Sequence, residues 1–375
     1  MRSVSFRFLS FISLTLIGFA VVEATSAGVQ LSSYGPGGQQ ASVQETQGSS
    51  SSETKPSPQK SAYHEDFTSL SLDTSSLSHV PAILGERDDR PEFPFIRERW
   101  QMMWRPGDPL DLYIIKPRGV KNPPVVLYLY SHPQDTERFK SDVWCGQVTG
   151  DGFAAVGFVS ANTGHRLENL PPREFFFSEL QTSLGATVHD VQMILNFLAN
   201  RKEVDMNRVG MFGQGSGGSI AILASAVDPR IKAIDLLTPW GDWPTFLTYS
   251  TFISAEVRSK VTTPEFLAKV APLDPLQWLP KIQAHSIRIQ DVRSDGHMPD
   301  AAEEHLEAVA PDFAEIDQFG DRAALVPATA NGRLLGWIKT RLQPDAAPQV
   351  AKEKSQRVHF YPSKAPIAPL PMPHQ

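Results

Sequence analysis

The chain has 375 residues, a formal net charge of −6 and 41% apolar residues. That length suits one large domain with tails, or two small ones, and the lack of a basic excess excludes nucleic acid as an expected partner. Cys145 is the single cysteine, which rules out an internal disulfide and cysteine-based zinc or iron–sulfur spacing; it reads as a core residue.

Arg2 and Arg7 flank the start of an apolar stretch, Phe8 to Val22, that ends in small residues up to Ala27. This pattern predicts a secretory signal peptide over 1–27, hence an exported protein, periplasmic or extracellular, with no membrane span after cleavage. Residues 28–62 are rich in Ser, Gln, Gly, Thr and Pro without apolar periodicity and predict a disordered leader. A strap lying on the domain surface is expected over 63–93, and the packed domain over 94–342.

Within the domain, Phe95 to Trp104 and Leu110 to Ile115 read as strands joined by the turn Arg105-Pro106-Gly107-Asp108-Pro109. Val125 to Tyr130 is a continuous apolar run, as expected of a strand buried on both faces of a largely parallel sheet. Ala154 to Val159 reads as the next strand. From Ser183 to Asn200, the residues Leu184, Val188, Val191, Leu195 and Leu198 step by four and three, the spacing of an amphipathic helix. Further strands are expected at Ile231–Leu237, His285–Gln290 and Phe313–Phe319, and helices at Asp300–Val309 and Ala330–Leu342. This alternation predicts an α/β fold, a mostly parallel sheet flanked by helices.

The pattern breaks at about 238–283, after the sixth predicted strand, where Trp240, Trp243, Phe246, Tyr249, Phe252 and Trp278 lie among prolines and polar residues. This is read as a cap insertion. Its aromatics either shape a pocket or pack among themselves. Beyond Leu342 a Pro-rich tail, 343–375, is expected to be disordered.

The centre of the chain is Arg208-Val209-Gly210-Met211-Phe212-Gly213-Gln214-Gly215-Ser216-Gly217-Gly218-Ser219-Ile220, a strand, a sharp glycine turn and a helix. With Val204-Asp205-Met206-Asn207 before it, Asp228-Pro229-Arg230-Ile231-Lys232-Ala233 after it and the later loop Ser294-Asp295-Gly296-His297-Met298-Pro299, it resembles the α/β-hydrolases. The branch it resembles comprises the secreted dienelactone hydrolases, acetyl xylan esterases and prolyl oligopeptidases. The resemblance covers about Pro94 to Leu342. It implies the α/β-hydrolase fold, with the turn G-x-S-x-G presenting a nucleophilic serine, the loop Ser131-His132-Pro133-Gln134 supplying an oxyanion donor, and Asp295 as the acid that orients a histidine.

Two departures decide the expectation for function. Gly213 and Gly217 are the flanking glycines of that turn, so Gly215 occupies the nucleophile position and serine comes one place late, at Ser216. The position of the family's histidine falls in Phe319-Gly320-Asp321-Arg322, so Asp321 stands there. Glycine has no atom that could be acylated, and an aspartate is a poor base near neutral pH unless burial raises its pKa. The leading expectation is therefore a protein that has lost triad chemistry and binds a small-molecule or polymer ligand, or a partner, in the residual cleft lined by His132, Gln134, Ser216, Trp240 and Trp243. The alternative is an active ester or peptide hydrolase with Ser216 as a displaced nucleophile, Asp295 as acid and His297 or His132 as base; His165 is a further candidate histidine. Ser216 otherwise reads as a residue that starts or caps a helix. No cofactor and no metal are expected.

Overall fold

The computed structural model describes residues 65–72, 80–132, 137–163, 166, 176–293, 296–330 and 333–363. The expected signal peptide and leader lie outside these residues. Among the described residues, ten strands form one sheet: β1 (Ala82–Asp88), β2 (Phe95–Met102), β3 (Leu110–Pro117), β4 (Pro124–Leu129), β5 (Ala154–Phe158), β6 (Asp205–Gln214), β7 (Ile231–Leu237), β8 (Ser286–Val292), β9 (Glu315–Phe319) and β10 (Val358–Tyr361). Their spatial order is β1-β2-β3-β5-β4-β6-β7-β8-β9-β10. The first three strands run antiparallel to their neighbours, and from β5 onward every pairing is parallel.

The parallel strands are apolar on both faces because helices cover both. Along β4, Val125, Leu127 and Leu129 enter one core with the helices Leu180–Arg201 and Ser216–Val227. The alternating Val126 and Tyr128 enter the other, with Trp144 and Cys145 of Asp142–Thr149 and Ile338 of Arg333–Arg341. The period of two along a strand thus sorts one apolar run into two cores. Gly210 on β6 admits this packing, since a Cβ there would lie 2.9 Å from the ends of both Ile338 and Leu342.

The helix expected at 183–200 spans Leu180–Arg201, and Lys202 closes it in the left-handed conformation. The helix expected at Asp300–Val309 has those bounds. The insertion after β7 holds the short helices Trp243–Tyr249, Ala255–Val261, Pro264–Val270 and Pro275–Trp278, started by Asp242, Ser254, Thr263 and Asp274, whose side chains each accept a backbone N–H.

Two expectations are corrected by pairing. β1 falls inside the expected strap and pairs antiparallel with β2. β10 falls inside the expected disordered tail and pairs in parallel with β9, with Tyr361 stacked on Phe319. The helix expected at Ala330–Leu342 spans Arg333–Arg341, and a further helix, Arg322–Ala330, comes before it.

Candidate functional site

The glycine turn sits where β6 ends and the helix Ser216–Val227 begins, at the carboxyl edge of the parallel sheet. Gly215 has φ 54° and ψ −119°, a corner that an L side chain occupies only under strain. The corner is tied down on three sides. Gly215 N–H donates to the Leu237 carbonyl at 3.0 Å, and the Gly215 carbonyl accepts from Gly218 N–H at 3.0 Å and Trp240 N–H at 3.1 Å. A Cβ on Gly213 would lie 2.7 Å from the Gly217 carbonyl carbon, so the strand and the helix touch backbone to backbone.

The space a nucleophile's side chain would use is taken. A Cβ on Gly215 would overlap Ser131 Oγ, lie 2.8 Å from Ser131 Cβ and lie 3.2 Å from the Trp240 ring. Trp240 is held there by its own N–H and by its carbonyl, which accepts from Ser219 Oγ at 2.7 Å. Ser216 is buried, and its Oγ accepts the backbone N–H of His132 at 2.8 Å. Among the described residues, this is the hydrogen bond that Ser216 Oγ makes; its partner is a main-chain donor and not an imidazole.

His132 places its ring in an aromatic cluster. The ring stacks on Phe176 at 5.0 Å and meets Phe177 and Phe252 edge-on at 6.1 and 6.4 Å. Phe177 stacks on Trp240, which in turn stacks on Phe246. Burial pushes the His132 imidazole down to about 4, so it is neutral near neutral pH, and its Nδ1 has no hydrogen-bond partner among the described residues.

The other sequence candidates take the following places. The His297 ring meets the Phe252 ring at 5.6 Å, and its Nδ1 accepts from the Arg322 guanidinium at 3.0 Å. Asp321 is the N-cap of Arg322–Ala330, its Oδ1 accepting Ala324 N–H at 2.7 Å. Trp243 is buried inside the cap, and its Nε1 donates to the Leu273 carbonyl at 3.2 Å. Gln134, His165 and Asp295 lie outside the described residues. Among the described residues no cluster of three or more His, Cys, Asp or Glu is placed to hold a metal ion.

Sequence reasoning named the stretches that hold Ser131 and Arg322 without giving those residues a role, and missed Phe176 and Phe177. The Phe175-Phe176-Phe177 run was a usable signal, because three consecutive aromatics outside a periodic element ask for a partner surface.

Comparison with known proteins agrees with the fold. The family model for acetyl xylan esterase (AXE1) matches residues 183–269, the stretch from the long helix through the glycine turn into the cap. The Bacillus subtilis (strain 168) protein named "Putative hydrolase YtaP" is 28% identical over 140 residues, 33% of this chain and 46% of that protein, so the match spans about half of the relative's length. Among solved structures, the acetyl xylan esterase from Paenibacillus sp. R4 superposes with a TM-score of 0.55 at 16% identity, over 70% of this chain and 90% of that one. Acetyl xylan esterase 1 from Thermoanaerobacterium sp. JW/SL YS485 gives 0.53 at 15% identity, over 69% and 88%. The strand order, the turn and these similarities make the chain a relative of the α/β-hydrolases with that superfamily's fold, similar to acetyl xylan esterases through the segment that carries the turn.

Proposed function

We propose that this is a hydrolase-like protein of the esterase type in which Ser-His-Asp hydrolysis has been lost, and which binds a ligand beside the old nucleophile turn without cleaving it. The observation that carries this reading is the filled space at Gly215, where Ser131 and Trp240 occupy the volume that a nucleophile's side chain would need. Two others support it. The His132 N–H, in the loop expected to furnish an oxyanion donor, is engaged by Ser216 Oγ, and a donor already satisfied contributes nothing to a developing oxyanion. Asp321, at the position of the family's histidine, has a capping bond to make. Phe176, Phe177 and Trp240 are buried, and the partly exposed rings of Phe252 and of the neutral His132, packed on them, are the faces a largely apolar or sugar-like ligand would meet. In this reading the chain is exported before it acts.

The reading that keeps hydrolysis assigns attack to Ser216. It is separated by supplying acetylated xylo-oligosaccharide, the ester type named in the similar esterases, and following acetate release. The expected result is no release above that of the Ser216→Ala variant. Release that Ser216→Ala abolishes would refute the loss of hydrolysis.

A further inference from the structure

The chain beyond the helix Arg333–Arg341 is tied along one side of the sheet at three places. Gln349 takes the first hold: its N–H donates to the His285 carbonyl at 3.2 Å, its Oε1 accepts Ile287 N–H at 2.6 Å and its Nε2 donates to Glu315 Oε1 at 2.9 Å. Buried Arg357 takes the second, its Nη1 donating to the Ala310 and Pro311 carbonyls at 3.3 and 3.0 Å, just past the helix Asp300–Val309. β10 is the third. It runs parallel to β9 and so heads for the carboxyl edge of the sheet, the edge that carries the glycine turn. Gly320 N–H donates to the Tyr361 carbonyl at 2.8 Å, and a Cβ on Gly320 would lie 2.6 Å from Ser363 N. The chain therefore leaves β10 against the loop that leads into Asp321 and Arg322.

The next twelve residues, Lys364–Gln375, lie outside the described residues. Their sequence places Pro366, Pro369, Pro371 and Pro373 among the apolar Ile367, Leu370 and Met372, with Lys364 as the single Lys, Arg, Asp or Glu. Each proline fixes its own φ and biases the residue before it toward an extended backbone. Such a sequence favours the polyproline helix, which gives up little conformational entropy on docking and is recognised by aromatic side chains.

Reach is not limiting. β10 and β6 are separated by four strand spacings, about 19 Å at about 4.8 Å each. Twelve residues in polyproline form span about 37 Å. Aromatic faces stand at that edge in a series of contacts. His297, whose Nδ1 accepts from Arg322, meets Phe252 at 5.6 Å, and Phe252 meets His132 at 6.4 Å. All three rings belong to partly exposed residues, and Tyr249, 69% exposed, precedes Phe252 by three residues. The Phe252 loop is fixed in advance: Arg258 Nη2 donates to the Ser250 and Ile253 carbonyls at 2.7 and 2.9 Å, and Ser250 Oγ donates to the His297 carbonyl. A surface ordered before docking gives up less entropy on binding.

We propose that Lys364–Gln375 docks on these rings as an internal ligand: its prolines and apolar side chains cover Phe252 and His132, and an external ligand has to displace it. The inference rests on the reading of this site as a binding surface, and it adds what occupies the surface when no external ligand is present.

The test uses the full chain. Cys145 is buried and its thiol is pushed up to about 11 by that burial, so a nitroxide reagent attaches to His374→Cys alone. Backbone amide signals of His132, Thr251 and Phe252 are compared with the nitroxide oxidised and reduced. They are expected to lose most of their intensity, while those of β1, at the opposite edge of the sheet, keep theirs. Adding Ile367→Asp and Leu370→Asp is expected to restore the lost signals. No loss of intensity in the chain without the aspartates, or a loss that the aspartates leave unchanged, would overturn the proposal. Acetylated xylo-oligosaccharide is then added to both forms. It is expected to restore the signals in the first and to bind the aspartate form more tightly; equal affinity for the two would overturn the displacement. A sugar that shifts no site amide in either form counts against the ligand-binding reading of the site, and the broadening alone still decides where the segment docks.

Discussion

Ser131 stands against Gly215 so closely that a Cβ on the glycine would lie 2.8 Å from the serine's Cβ and overlap its hydroxyl oxygen. Ser131, just after β4, thus takes up the space beside the corner where a nucleophile's side chain would sit. Putting the serine back is therefore expected to destabilise. Gly215→Ser should cost roughly 1–3 kcal/mol from crowding, in addition to strain at φ 54°, and should give no esterase activity. Pairing it with Ser131→Gly should recover most of the loss. Denaturant unfolding of the single and double variants checks both statements.

Ser216 is expected to matter for folding and not for turnover. Its Oγ satisfies the His132 N–H, and Ser216→Ala leaves that donor unpaired at a cost of about 1–3 kcal/mol. Ser216→Thr, which keeps the oxygen, should lose less. Chemical denaturation of the two variants measures the difference.

Asp321 should behave as a cap. Removing its carboxylate in Asp321→Ala is expected to cost about 0.5–2 kcal/mol, and Asp321→Ser, which restores an acceptor for the Ala324 N–H, should return much of it. A group acting as a base would instead show an effect on turnover and little on the unfolding midpoint.

The His132 ring predicts an acid limb of stability. Burial lowers its pKa from 6.5 to about 4, so between those values the unfolded chain binds the proton more readily than the folded one. The stability contribution is full above 6.5 and is lost as pH falls toward about 4. His132→Phe keeps a ring against Phe176 and should flatten this part of the pH profile, read by thermal unfolding across the range.

Much of the fold was legible because parallel strands and two-sided helices impose strong apolar patterns. Val125 to Leu129 and the helix Asp300–Val309 could be read from spacing alone. Edge strands could not. β1 carries Gly85 and charged residues and is largely exposed, and β10 has only four residues beside a Pro-rich stretch, so each is defined by its partner's hydrogen bonds and not by its own pattern. Pro327 lies inside the helix Arg322–Ala330, for which no element was expected, since proline inside a helix weakens its pattern.

The site divides the same way. The strand, the Gly215 corner and the helix after it were legible because a motif fixes that order. The closure by Ser131, the turn of Ser216 Oγ toward His132 N–H and the ring contacts of Phe176 and Phe177 arise between residues far apart in sequence, where no spacing rule reaches.

The proposed loss of the nucleophile is tested most directly by fluorophosphonate labelling of the full chain, with peptide mass mapping, a Ser216→Ala control and an intact serine esterase labelled alongside. The account predicts no adduct on this protein while the esterase is labelled. A stable adduct on Ser216 that disappears in Ser216→Ala would contradict it and establish an activated serine next to Gly215.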